Sequence, residues 1–190
     1  MRFALAFICA AILSWNLSAQ QSARPVRRRA PRQEPVVDSF KGPQHLAVVI
    51  DCSAQNRRAF ERSIRQATRL VERLTEKDTV SIVVFDDAAE LLLPATPVAD
   101  KAVVLAKLQG LKPKGMKALF AGISKGAEEV RRNTSEGQAK RVMVLSGGEG
   151  PLIGPGSPDD IRTLAEALRR EGISLVRPQD GKGGGAKRAK

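Results

Sequence analysis

The residues best placed to do chemistry in this 190-residue chain sit together at Asp51-Cys52-Ser53. They follow directly on the apolar run Leu46-Ala47-Val48-Val49-Ile50. A carboxylate and a hydroxyl just past the end of a strand are hard oxygen donors, the kind that suits Mg²⁺ or Mn²⁺. The same Asp-x-Ser pattern also suits an N-cap for a following helix, and the two roles are compatible. Acid–base and nucleophilic catalysis find little support. His45 is the one histidine and stands at the start of a strand, the wrong end for a site built on strand carboxyl ends. Cys52 has no evident base beside it and reads as a small buried hydrophobe. Gly110 to Met116 lacks the lysine placement of a P-loop, and the glycine-rich stretch Gly147 to Gly156 lacks the dinucleotide spacing, which leaves a flexible loop as its expected role. The chain is therefore expected to be a non-catalytic binding protein.

Several elements must position Asp51 and Ser53. The run ending at Asp51 suits a strand buried on both faces of a parallel sheet. From Asn56 to Leu74, Phe60, Ile64, Ala67, Val71 and Leu74 recur at spacings of four and three, which predicts an amphipathic helix. Strands are predicted at Thr79 to Phe85, Glu90 to Leu93, Arg141 to Ser146 and Ile173 to Val176. Helices are predicted at Asp100 to Leu108, Ala118 to Arg131 and Asp159 to Arg170, the last capped by Ser157 or Asp159 and followed by Gly172. Strands alternating with helices imply an α/β fold, a doubly wound and mostly parallel sheet with helices on both faces. Ligands of such sheets bind beyond the strand carboxyl ends, where strand order reverses. Asp51 and Ser146 stand at two such ends.

The ends of the chain differ from its middle. Residues 1–19 carry Arg2, the apolar stretch Phe3 to Leu13 and Leu17-Ser18-Ala19 before Gln20, the pattern of a secretory signal peptide. The apolar stretch is short against the roughly 20 residues of a spanning helix. Export, periplasmic or secreted, is expected. Arg24 and Arg27 to Arg29 follow closely and oppose translocation, so an uncleaved membrane anchor is the alternative. Residues 20–44 are rich in Pro and Arg and read as a disordered linker. Residues 45–178 form the expected domain, and residues 179–190 a basic disordered tail. The net charge is +12, of which residues 46–176 carry only +3. The basic ends are expected to be solvated. Attraction to an anionic polymer or membrane surface is their alternative function. No aromatic residue interleaves with the arginines from Arg24 to Arg32, which argues against specific nucleic-acid binding. Cys9 lies in the leader, so cleavage would leave Cys52 alone, and one cysteine makes neither an internal disulfide nor a structural zinc site with His45.

In the order of its elements, Leu46 to Val176 resembles a von Willebrand factor A domain. LAVVIDCSAQ looks like the family's first strand with its Asp-x-Ser-x-Ser motif, and DTVSIVVFDD like its second strand. KLQGLKPKGMKALFAGI looks like the segment that usually holds Gly-Gly-Thr, and RVMVLSGGEG like the strand that usually ends in Thr-Asp-Gly. The resemblance implies a protein-binding, adhesion-type module, often with a metal-ion-dependent adhesion site. Asp51 and Ser53 keep their types at that site. Gln55 replaces the second Ser, Lys117 the Thr and Gly147 the Asp, leaving a degenerate binding surface of Asp51, Ser53, Gln55, Lys117, Gly147 and Glu149. At about 4 Å, repulsion between an ammonium and a dication amounts to several kcal/mol at an effective dielectric near 20. Lys117 is therefore expected to replace the ion and pair with Asp51, and no metal or other cofactor is expected. The alternative is an Mg- or Mn-dependent adhesion module with an incomplete shell of Asp51 and Ser53, to which Glu149 could add a carboxylate. The partner is expected to be a protein that the sequence does not name. Relative to the family, a last helix and strand look missing after Val176, which would leave an exposed edge able to self-associate.

Overall fold

The computed structural model describes residues 42–147, 154 and 156–177. Five strands form one sheet: β1 (Gln44–Asp51), β2 (Thr79–Phe85), β3 (Ala89–Pro97), β4 (Ala139–Leu145) and β5 (Ile173–Val176). Their order is β3-β2-β1-β4-β5. β1 pairs in parallel with β2 and β4, and β4 in parallel with β5, while β3 runs antiparallel to β2. The helices are α1 (Arg57–Arg73), α2 (Lys101–Gln109), α3 (Leu119–Asn133) and α4 (Pro158–Arg170). The expected fold class, doubly wound α/β, is the observed one.

The sheet divides the core into two layers because strand side chains alternate. Leu46, Val48 and Ile50 pack with Phe60, Ala67 and Val71 of α1 and with Val104 and Leu108 of α2. Ala47 and Val49 point the other way, to Ile123, Ala127 and Val130 of α3 and Ile161 and Leu168 of α4. Every residue of β1 is buried, as a central strand covered on both faces requires. From β1 the chain winds to β2 and β3 on one side and to β4 and β5 on the other. The order of strands therefore reverses between β1 and β4, and a crevice opens beyond their carboxyl ends.

Three expected boundaries shift. β1 begins at Gln44 rather than Leu46, because Asp78 accepts the Gln44 N–H at 3.0 Å and holds the start of the strand. β3 extends to Pro97, well past Leu93. β4 runs from Ala139 to Leu145, so Ser146 lies just beyond it. The start of α4 follows its sequence signal: Ser157 and Asp160 form a reciprocal capping box, with Pro158 in the first turn. The leader, the linker up to residue 41, Glu149 and the tail lie outside the described residues. So does any helix or strand after Arg177. Among the described residues β5 pairs with β4 alone, and no helix is long and apolar enough to cross a membrane.

His45 is fully buried near the amino end of β1, far from the crevice in register. Its Nδ1 lies 3.0 Å from Thr134 Oγ1 and its Nε2 2.8 Å from Ser81 Oγ. Thr134 gives its own proton to the Val130 carbonyl. Thr134 therefore accepts from Nδ1–H, and in the neutral imidazole that burial favours, Nε2 accepts from Ser81. Burial lowers the His45 pKa, with Glu129 opposing. A lowered histidine binds its proton in the unfolded chain before the folded one, so its contribution is complete above the unfolded value near 6.5 and is lost as pH falls below it. Urea melts are expected to show stability declining below about pH 6.5 by at most about 1.4 kcal/mol per pH unit from this group. His45→Val should flatten that slope, and an unchanged slope would exclude His45 as its source.

Candidate functional site

Asp51 ends β1 at the switch in strand order, and its side chain is wholly buried. Both of its carboxylate oxygens are hydrogen-bonded, and one also has a counter-charge. Oδ1 accepts the Ser53 N–H at 3.0 Å and the Ser53 hydroxyl at 2.6 Å. Oδ2 accepts the Ser146 hydroxyl at 2.6 Å, and the Lys117 ammonium lies 3.3 Å away. The Lys117 side chain is 6% exposed. A buried charge must be paired and hydrogen-bonded to be tolerated, and this carboxylate is both.

The loop that brings Lys117 in is tied down on two sides. Lys114 N–H donates to the Cys52 carbonyl at 2.7 Å, and Ala54 N–H to the Gly115 carbonyl at 3.0 Å. On the other side Ala118 N–H donates to the Asp86 carbonyl at 2.8 Å, and Met116 N–H to Asp87 Oδ1 at 2.8 Å. Gly115 makes the last bond possible. Its φ is +60°, and a Cβ there would stand 2.4 Å from Asp87 Oδ2. The loop is thus held by the β1–α1 connection and the β2–β3 turn before Lys117 reaches Asp51.

The other expected residues fall as follows. Ser53 precedes the short 3₁₀ turn Ala54–Asn56 but makes no side-chain cap bond, and its hydroxyl is turned to Asp51. The N-cap role expected of Asp51 or Ser53 is therefore not the one they play. Gln55 is half-buried and its Oε1 has no hydrogen-bond partner. Gly147 lies just past β4 and donates its N–H to Asn56 Oδ1 at 3.1 Å. A Cβ at Gly147 would come within 2.7 Å of both Ala59 Cβ and Arg62 Nη2. Cys52 is buried; desolvation, with Asp51 and Asp86 adding to it, pushes its thiol up to about 12. It is no nucleophile at neutral pH.

Two contributors were not among the expected site residues. Ser146 bonds Asp51 across 95 residues of sequence, although its place at a strand end was visible. Asn56 donates Nδ2 to the Asp51 carbonyl at 2.6 Å and accepts from Gly147, so one amide ties β1 to the end of β4. No spacing rule marks that role. Beside the ion pair, a cleft of about 120 Å³ is lined by Lys117, Leu119, Val144, Ser146 and Arg177.

The model for the von Willebrand factor type A domain matches residues 46–149. The chain belongs to that family. Its domains are in general adhesion and interaction modules that do no catalysis. The uncharacterised Synechocystis sp. protein sll0103 is 27% identical over 108 residues, 56% of this chain and 26% of that one. The uncharacterised Escherichia coli protein YfbK is 24% identical over 106 residues, 56% and 18%. This chain therefore matches only about a quarter or less of either relative's length. Among solved structures the SpRpn10 VWA domain superposes with a TM-score of 0.59 at 14% identity, covering 70% of this chain and 73% of that one. BatB from Bacteroides thetaiotaomicron gives 0.54 at 21%, covering 70% and 65%. Proximal thread matrix protein 1 from the mussel byssus gives 0.57 at 22%, covering 72% and 35%, in a form whose adhesion motif is occupied by zinc. At these identities the likeness is one of fold.

Among the described residues, the oxygen donors gathered at the site are the Asp51 carboxylate and the hydroxyls of Ser53 and Ser146. Such ions take about six oxygens with anionic charge among them. Here one carboxylate faces an ammonium 3.3 Å away.

Proposed function

We propose that this chain is a metal-independent protein-binding module whose recognition face is the crevice around Asp51, Ser53, Gln55, Ser146 and Lys117. The observation that carries the reading is the Lys117 ammonium 3.3 Å from the buried Asp51 carboxylate. A fixed cation there satisfies the carboxylate that an ion would otherwise bind, and repels a dication. The cleft beside the pair is lined by the exposed Arg177, which suits an acidic side chain of the partner. The leader-like residues 1–19 support export. One observation favours the metal-dependent alternative: the buried Gln55 Oε1 is an oxygen without a donor.

Calorimetric titration decides between them. Mg²⁺ and Mn²⁺ titrated into the full chain are expected to give no saturable heat, and a captured protein partner should stay bound in EDTA. Micromolar ion binding that disappears in Asp51→Ala would overturn the reading.

A further inference from the structure

The exposed side of α1 forms a surface separate from the crevice. Of its 17 residues six are arginine and two are glutamate, so the helix carries +4. Residues 46–176 together carry +3, so the rest of the domain sums to −1 and its net positive charge resides on this helix. At 100° per residue, Arg58, Arg62, Arg65, Arg69 and Arg73 fall within about 80° of one another. They lie opposite Phe60, Ala67 and Val71, which are buried against the sheet. Arg58, Arg65, Arg69 and Arg73 are exposed and Arg62 is half-buried. Glu61 and Glu72 sit together on one flank of the row. The row is straight and about 22 Å long at the helical rise.

We propose that this arginine row docks α1 flat against an anionic phospholipid surface. Guanidinium groups pair bidentately with phosphate oxygens, which makes arginine better suited to that role than lysine. A straight row on a rigid helix meets a flat array of headgroups along its whole length. The exposed large hydrophobic residues, Val103 and Met116, lie off α1, so binding is by charge without insertion. Nucleic acid is the less fitting polyanion, because α1 exposes no aromatic side chain for base stacking. The flanking sequence has the same sign: residues 20–45 hold six basic against two acidic side chains. Each basic residue held near an anionic leaflet strengthens binding about fivefold. The inference does not rest on the adhesion reading, since the row and the crevice share no residue.

Co-sedimentation of the full chain with vesicles tests it. Vesicles of phosphatidylcholine containing phosphatidylglycerol should bind the protein, in a salt-sensitive way, and vesicles of phosphatidylcholine alone should not. R58E/R65E/R73E should weaken that binding at least about tenfold, and the milder R58Q/R65Q/R73Q should weaken it in the same direction while leaving the melting curve unchanged. R162E/R169E/R170E makes the same charge change on α4 and should have under about a twofold effect. Equal loss in the α1 and α4 variants would reduce the effect to net charge and overturn the proposal. It would also fall if neither variant changed binding, which would leave the attraction to the basic ends. Loss of duplex DNA binding in the α1 variants, with vesicle binding intact, would overturn it in favour of nucleic acid.

Discussion

Lys117→Met is expected to lower the stability of the domain by about 3–5 kcal/mol, the usual effect of removing one partner from a buried ion pair. The methionine fills much of the lysine's volume, so the loss reports charge and not a cavity. What remains is a carboxylate with no exposure to solvent, held by two hydroxyls and one backbone N–H but with no counter-charge. At about 4 °C per kcal/mol for a domain of this size, the melting temperature should drop by more than about 10 °C. The partner change, Asp51→Asn, leaves an ammonium that is 6% exposed beside a neutral amide and should also destabilise. The double variant Asp51→Asn/Lys117→Met should be markedly more stable than the sum of the two single losses, since both members of the pair are then neutral. Urea denaturation of the four proteins measures the coupling. A loss under about 1 kcal/mol for Lys117→Met would show that Lys117 is not needed to neutralise Asp51, and the metal-free reading would lose its basis.

How far the sequence disclosed this arrangement depends on the range over which each signal acts. β1 and α1 were legible because burial writes itself into composition: a central strand of a parallel sheet is apolar throughout, and a helix on a sheet repeats at three and four. β3 was read too short because it is an edge strand. All its residues but Leu93 are exposed or half-buried, and Pro94 and Pro97 interrupt the pattern, which an edge tolerates and a central strand does not. The family's motif pointed to Asp51, Ser53 and Lys117 as one locus. The motif does not carry the direction of each hydrogen bond. Ser53 looks like a helix cap by position, yet its hydroxyl points to the Asp51 carboxylate and receives no N–H from the turn that follows. Ser146 and Asn56 were missed as contributors because their bonds join segments 95 and 91 residues apart and depend on sheet register, which no local pattern states. Glu149, the residue that could return a carboxylate, lies outside the described residues.

The same geometry predicts what would bring an ion back. Gln55→Ser/Lys117→Thr removes the ammonium and places two hydroxyls where the family has them, beside the Asp51 carboxylate and the Ser53 hydroxyl. Without metal this double variant should be destabilised about as much as Lys117→Met, because Asp51 again lacks a counter-charge. With Mn²⁺ or Mg²⁺ in large excess it should recover about 2.7 kcal/mol at one hundred times the dissociation constant, since an ion that binds only the folded state stabilises it by mass action. The unaltered chain should show no such recovery. Affinity is expected to be modest, because the fifth family position remains Gly147. Restoring an aspartate there would meet Ala59 Cβ at 2.7 Å, so the sequence around α1 has closed that position sterically as well as chemically. Arg62, whose Nη2 stands equally close to that Cβ, can swing aside because it is the end of a flexible chain, whereas Ala59 is fixed to the helix backbone. Thermal melts of the parent and double variant across a metal series, with EDTA as the reference, provide the measurement. A metal-dependent shift in the parent as large as in the variant would mean that Lys117 does not stand in for the ion. No shift in either would mean that removing the ammonium is insufficient, and that the missing carboxylate at Gly147 decides the loss of metal.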